Sequence, residues 1–103
     1  MKKIDWNKGN GLIPTIVQEE TNSEVLMLAY STKESLEKAM KTSQGWYYSR
    51  SRKKLWRKGE TSGNTQKLKK VFVDCDKDTL LFKVEQTGNA CHLNKKNCFK
   101  VLK

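Results

Sequence analysis

Asp74-Cys75-Asp76-Lys77-Asp78 is followed, after a short apolar run, by Cys91-His92-Leu93-Asn94-Lys95-Lys96-Asn97-Cys98. All 3 cysteines of the chain and three carboxylates thus fall within about a quarter of its length. Thiolate sulfur prefers zinc, whereas closely spaced carboxylate oxygens prefer magnesium or calcium, so the segment reads as a place where two kinds of cation could be held near one another. A structural zinc site wants a fourth Cys or His, while a catalytic one has three protein ligands and an open position for water. Cys91 and Cys98 are seven residues apart, which is ~10 Å along a helix and over ~20 Å along a strand, yet two sulfurs on one zinc must lie within ~4 Å. If they share an ion, the chain between them folds back as a loop, and Gly88, Asn89, Asn94 and Asn97 are residue types that tolerate such a turn. Otherwise the cysteines are small buried apolar groups.

Were Val71–Asp78 extended, alternation would put Asp74, Asp76 and Asp78 on one face and Cys75 on the other, so that one segment could address two ions. The same stretch also reads as a solvated Asp-rich turn between two strands. His92, the only histidine, belongs to the residue type best suited to carrying protons near neutral pH, or is a surface residue beside a ligand. Between Trp46 and Gly63, aromatics, hydroxyls and cations interleave ahead of a Gly-bounded loop. Such a run could stack a base while Arg and backbone N–H groups hold phosphate, and it could equally be a basic hairpin whose aromatics serve the core.

The elements that must position these groups can be read from the apolar pattern. Leu12–Gln18 and Glu24–Tyr30 are β-branched, apolar stretches around Glu19–Ser23 and predict a hairpin. Ser31-Thr32-Lys33-Glu34 offers a capping box, after which Leu36, Ala39 and Met40 share one helical face until Gly45 closes the segment. Trp46–Ser51 predicts a strand, Gly59–Asn64 a loop, and Leu68–Asp74 and Thr79–Gln86 two strands around the Asp-rich turn. The class is α+β, mainly antiparallel sheet with one clear helix.

At 103 residues the chain is about one domain, 1–103, with a modest core that dimerisation would help. A formal charge of +10, from 21 Lys+Arg against 11 Asp+Glu, favours an anionic partner, either nucleic acid or a multiply phosphorylated small molecule. There is no apolar leader or run long enough to span a bilayer, and an odd number of cysteines argues for reduced thiols. The expectation is therefore a cytoplasmic protein with no membrane association.

The chain resembles the phosphoribosyl-AMP cyclohydrolases of histidine biosynthesis, in their monofunctional form. The motifs that carry the resemblance are Gly11-Leu12-Ile13-Pro14, Val25–Tyr30, Ser49-Arg50-Ser51-Arg52, Leu55-Trp56-Arg57-Lys58-Gly59-Glu60-Thr61-Ser62-Gly63, Asp74–Asp78 and Cys91-His92 to Cys98-Phe99. The resemblance implies hydrolytic opening of the adenine ring of 1-(5-phosphoribosyl)-AMP between N1 and C6, by zinc-activated water with magnesium assisting phosphate binding. It implies an intertwined homodimer with one zinc per subunit, bound by Cys75 of one subunit and Cys91 and Cys98 of the other, and magnesium on Asp74, Asp76 and Asp78. On this reading His92, or else Glu60, moves protons. Arg50, Arg52, Trp56, Lys58, Gly59, Thr61, Ser62 and Gly63 bind the nucleotide.

Leu93-Asn94 replaces the commoner Thr-Gly, Lys95-Lys96 the commoner Arg-Arg, Asn97 a Ser, and Asn64 a His. Asn can adopt the left-handed conformation, whereas Lys lacks the bidentate fork of Arg. Because the chain ends at Lys103, the expectation is the cyclohydrolase step alone, without the pyrophosphohydrolase domain fused to some relatives. The reading from another class is a zinc-stabilised basic nucleic-acid-binding module. Its cysteines would be expected as paired C-x-x-C knuckles, and three acids beside Cys75 would repel phosphate.

Overall fold

A computed structural model describes residues 4–103. The expected first hairpin is present as β1 (Ile13–Glu19) and β2 (Val25–Ser31), paired antiparallel with Thr15 opposite Ala29. Alternation along β1 buries Ile13, Thr15, Val17 and Glu19. In the connecting turn Asn22 Oδ1 accepts the Glu24 N–H at 2.9 Å and Ser23 takes φ 60°, the local chemistry for which Asn and Ser are suited.

Helix α1 (Lys33–Thr42) forms at the capping signal, but one residue later than expected. Thr32, not Ser31, is the N-cap: Thr32 Oγ1 accepts the Ser35 N–H at 3.1 Å and Ser35 Oγ accepts the Thr32 N–H at 2.9 Å. Ser31 is instead drawn into the core by Thr15, whose hydroxyl lies 2.7 Å from its own. Leu36 and Ala39 are buried, whereas Met40, expected on the same face, is 45% exposed. The helix ends at Ser43 in the left-handed conformation, φ 55°, rather than at Gly45. Glycine at 45 answers a different need, because a Cβ there would lie 2.3 Å from Gln66 Oε1.

Strand β3 (Trp46–Ser49) is shorter than the expected Trp46–Ser51. The chain turns through residues 50–53, with Lys53 at φ 54°, and returns as β4 (Lys54–Arg57), which sets Trp46 opposite Arg57. β4 had no periodic signal because three of its four residues are Lys, Arg or Trp at the protein surface or half-buried. β5 (Gln66–Val73) and β6 (Leu80–Gln86) form the second long hairpin.

The four long strands are ordered β2-β1-β6-β5, and β3-β4 is a separate two-stranded sheet. The class is α+β as expected, and pairing is mostly antiparallel. The exception is the parallel contact between β1 and β6, which joins the first long strand to the last. Tyr47, Phe82, Ile13, Leu26, Leu36, Leu80 and Val84 are fully buried between sheet, helix and small hairpin. Each such apolar side chain contributes about 1.5–3 kcal/mol.

The sheet register also fixes which loops are neighbours. Leu80 pairs with Thr15 and Val84 with Glu19, while Gln18 pairs with Val25. The start of β2 and the end of β6 therefore share one end of the sheet, and the Asp-rich turn lies at the other. The seven residues of β6 separate the two ends by ~20 Å.

Candidate functional site

The β3-β4 hairpin and the loop after it wall a cleft of about 430 Å³. Arg52 and Trp56 contribute from the hairpin, Lys58, Gly59, Glu60, Thr61 and Ser62 from the loop, and His92 from the C-terminal segment. The structure thus brings together eight of the residues expected to bind substrate or move protons. Gly59 at φ 84° lets the loop close on itself: its carbonyl accepts the Gly63 N–H at 2.8 Å, and a Cβ would lie 2.5 Å from the Asn64 carbonyl carbon. Trp56 is fixed from below by Tyr47, with ring centroids 5.3 Å apart. Burial pushes the Tyr47 hydroxyl pKa far up, so this ring remains a neutral platform.

Two expected residues stand outside the cleft lining. Arg50 lies over Tyr30, its guanidinium carbon 3.9 Å from the ring centroid, and Gly63 shapes the loop from behind. Ser49 and Arg57 line the cleft although the sequence did not single them out. Arg57 donates to Gln44 Oε1 at 3.0 Å, which aims its guanidinium. Both sit inside the aromatic and basic run, and recognising β4 as a strand would have placed them at the ends of the hairpin.

The segment after β6 folds back as the spacing of Cys91 and Cys98 required. Ala90 N–H donates to the Lys96 carbonyl, and Cys91 N–H to that of Lys95, both at 3.1 Å. Asn94 occupies the left-handed region at φ 63°, as its replacement of Gly allows, and Gly88 sits at φ 69°. Cys98 N–H donates to the Leu26 carbonyl at 2.8 Å, which pins the segment to β2. The Cys91 and Cys98 thiols are neighbours. Burial raises the pKa of Cys98, the neighbouring Cys91 adds to the rise, and the Lys58 ammonium opposes it. Lys58 also donates to the Ala90 carbonyl, so the edge of the cleft and the cysteine pair are one structure.

Cys75 is not part of that pair. It is exposed in the turn between β5 and β6, at the far end of the sheet. The extended alternation imagined for Val71–Asp78 is absent, because the strand ends at Val73 and the next residues turn, with Lys77 at φ 62°. The turn itself still gathers the acids: one carboxylate oxygen from each of Asp74, Asp76 and Asp78 lies within 4.8 Å of the others. Among the described residues this is the one cluster of three or more potential ligands so close. Desolvation pushes the Asp74 carboxyl up, but the Asp78 and Thr79 N–H groups, donating at 3.0 and 3.2 Å, outweigh it and hold the carboxyl below the ordinary carboxylate range. Lys8 approaches the rim, 3.5 Å from Asp78 Oδ2.

Glu24 fastens the cysteine loop from β2's approach, a role with no signal in the sequence. Asn97 Nδ2 donates to its carboxylate at 2.7 Å, and the Lys96 ammonium lies at 3.0 Å. Lys96 is thereby committed to Glu24. Asn97 first, and Lys96 with it, hold the Glu24 carboxyl below its ordinary 4.5. A depressed folded-state pKa gives stability that is present above the unfolded value and lost as pH falls through the folded one. In metal-free protein, thermal melts of wild type and Glu24→Gln should differ near pH 6 and converge as the pH falls below the ordinary carboxylate range. A gap that stays constant with pH would mean that the Glu24 charge does not anchor the loop.

The chain was compared with known proteins. The family model described as phosphoribosyl-AMP cyclohydrolase matches residues 27–100. A protein of that name from Clostridium botulinum (strain 657 / Type Ba4) is 59% identical over 99 residues, covering 96% of this chain and 90% of its own. Its namesake in Listeria innocua is 57% identical, covering 96% and 92%. The one in Cenarchaeum symbiosum is 56% identical, covering 94% and 90%.

Proposed function

Because the chain belongs to the phosphoribosyl-AMP cyclohydrolase family, we propose that it hydrolyses the N1–C6 bond of the adenine ring in 1-(5-phosphoribosyl)-AMP, for histidine biosynthesis in the cytoplasm. The working unit is a homodimer of single-domain chains, 1–103, with no nucleic-acid or membrane partner. The observation that carries the dimer is the ~20 Å of β6 between Cys75 and the Cys91–Cys98 pair. Three sulfurs of one tetrahedral zinc must lie within ~4 Å of one another. Two copies of the chain can satisfy this when the turn of one reaches the loop of the other.

The donor sets fit the two cations. Cys91, Cys98 and Cys75 of the partner subunit offer three soft sulfurs and would hold zinc, which supplies Lewis acidity that lowers the pKa of water. Asp74, Asp76 and Asp78 offer hard oxygens and would hold magnesium, which supplies charge for a substrate phosphate. The same partner turn carries both Cys75 and the three acids, so one docking event completes the sulfur set and delivers the acids beside the cleft.

The chain's own groups orient the substrate. Trp56, backed by Tyr47, offers its face to the adenine. Arg52, Lys58 and the backbone of Gly59, Thr61 and Ser62 meet the two phosphorylated ribose arms in the cleft, with Arg50, over Tyr30, and Gly63, behind the loop, binding where an arm runs beyond it, which accounts for a strongly positive chain whose acids are partly gathered in one turn. Hydrolysis places the water oxygen on C6, breaks C6–N1 and puts a proton on N1. His92, exposed on the cleft wall, moves these protons at an imidazole nitrogen, with Glu60 across the same cleft as the lesser candidate.

The test is a ring-opening assay on metal-stripped protein restored with zinc and magnesium separately. Turnover requiring zinc, and enhanced by magnesium, is expected. Zinc-loaded protein that never opens the ring with magnesium present would overturn the reading.

A further inference from the structure

Beneath the cleft runs a chain of hydrogen bonds, buried at Tyr47 and Gln66 and half-buried at Gln86, that the chemistry above does not use. Tyr47, wholly buried, donates its hydroxyl proton to Gln66 Oε1 at 2.5 Å. That fixes the Gln66 amide, which is 1% exposed, so that its Nε2 points the other way and donates to Gln86 Oε1 at 2.8 Å. Gln86 is fixed in turn. Its Nε2 spreads its two protons over the carbonyls of Thr87 at 3.0 Å, Asn64 at 3.2 Å and Thr65 at 3.4 Å. An amide reversed at either position would set oxygen against oxygen, so the three carbonyls that Gln86 Nε2 meets dictate a single polarity along the chain, and the Tyr47 hydroxyl completes it as the donor to Gln66 Oε1.

What Gln86 grips is the support of both loops that face the cleft. Gly59 rests on the Asn64–Thr65 peptide, where a Cβ would come within 2.5 Å of the Thr65 nitrogen. Gly88, which opens the segment carrying Cys91 and His92, rests on the other side of the same residue, its absent Cβ 2.4 Å from Asn64 Oδ1. Thr87 N–H donates to the Thr65 carbonyl at 2.9 Å and closes the joint. Gly59 abuts the 64–65 backbone itself and Thr87 is hydrogen-bonded to Thr65, so a shift of that peptide would be passed to both loops rather than absorbed.

We propose that Gln86 is a positioning residue for the ring-opening reaction. Braced by Tyr47 through Gln66, it sets the spacing between the substrate loop Gly59–Ser62 and the segment bearing His92. It touches neither substrate nor metal and acts through the Asn64–Thr65 peptide. The proposal rests on the function proposed above.

The test compares Gln86→Leu, the milder Tyr47→Phe, their combination and Thr15→Val. Thr15→Val is a control that breaks a buried hydroxyl pair elsewhere in the core. Gln86→Leu should lower kcat about tenfold or more and Tyr47→Phe about threefold, with zinc content unchanged. The double variant should be no slower than Gln86→Leu, since Tyr47 acts through it. Thr15→Val should lower the melting temperature and leave kcat and KM alone. Amide hydrogen exchange gives a readout free of turnover: residues 59–63 and 88–92 should exchange faster in Gln86→Leu, with α1 unchanged. Wild type that fails to turn over would refute the function while exchange still tests the joint. Gln86→Leu that loses stability like Thr15→Val but keeps kcat and loop exchange within twofold would overturn the proposal. So would rate losses from Tyr47→Phe and Gln86→Leu that simply multiply.

Discussion

Mixing Cys75→Ser protein with Cys91→Ser protein should restore activity that neither has alone. Each parent homodimer lacks a sulfur at both of its sites and should fall to the background rate. In a mixed dimer one site has lost both Cys75 and Cys91, but the other unites the intact turn of one subunit with the intact loop of its neighbour. Random exchange makes half of the dimers mixed, so about a quarter of wild-type activity returns. Zinc content should follow the same proportion, giving a measurement independent of turnover. The expectation comes from the sheet register: with Cys75 beyond Leu80 and Cys98 bonded to Leu26 at the other end, no local adjustment unites the three sulfurs in one chain. A mixture that stays dead despite verified exchange would place all the ligands within one chain and refute the shared site.

His92→Ala should lower kcat about 10²–10⁴-fold, the usual contribution of a positioned acid–base group, with KM changed far less. His92 is exposed on the cleft wall, and its removal opens space rather than disturbing the core. Added imidazole should therefore recover part of the rate in His92→Ala and do nothing for wild type. Glu60→Gln should cost less, because it keeps the shape of the loop and only the secondary proton carrier is lost. A near-normal rate in His92→Ala would remove histidine from the mechanism, and a larger loss from Glu60→Gln would transfer the role to the carboxylate.

Long apolar elements were legible because burial imposes a period. β1, β2, β5 and β6 lie close to where the alternation put them, and α1 appears at its cap. Errors arose where a distant partner outweighed the local signal. Ser31 left the cap for Thr15, and Gly45 proved to be a contact with Gln66 rather than a helix stop. β4 could not be read because its strand is held by pairing with β3 and not by a buried face of its own.

For the site, the chemistry was written in residue types: three thiols, three carboxylates, one imidazole and a basic, aromatic loop. The family was legible in the resemblance of several long motifs in order, and the folding back of Cys91 toward Cys98 in chain reach, a local property, once the two thiols are taken to share an ion. Other features belong to the folded chain alone. The sheet register carries Cys75 away from its sister thiols, the turn gathers the aspartates without extended alternation, Glu24 fastens the loop, and Gln86 joins two loops to one peptide. Each depends on contacts between segments far apart in the chain, and no period or spacing along one segment records what will be packed against it.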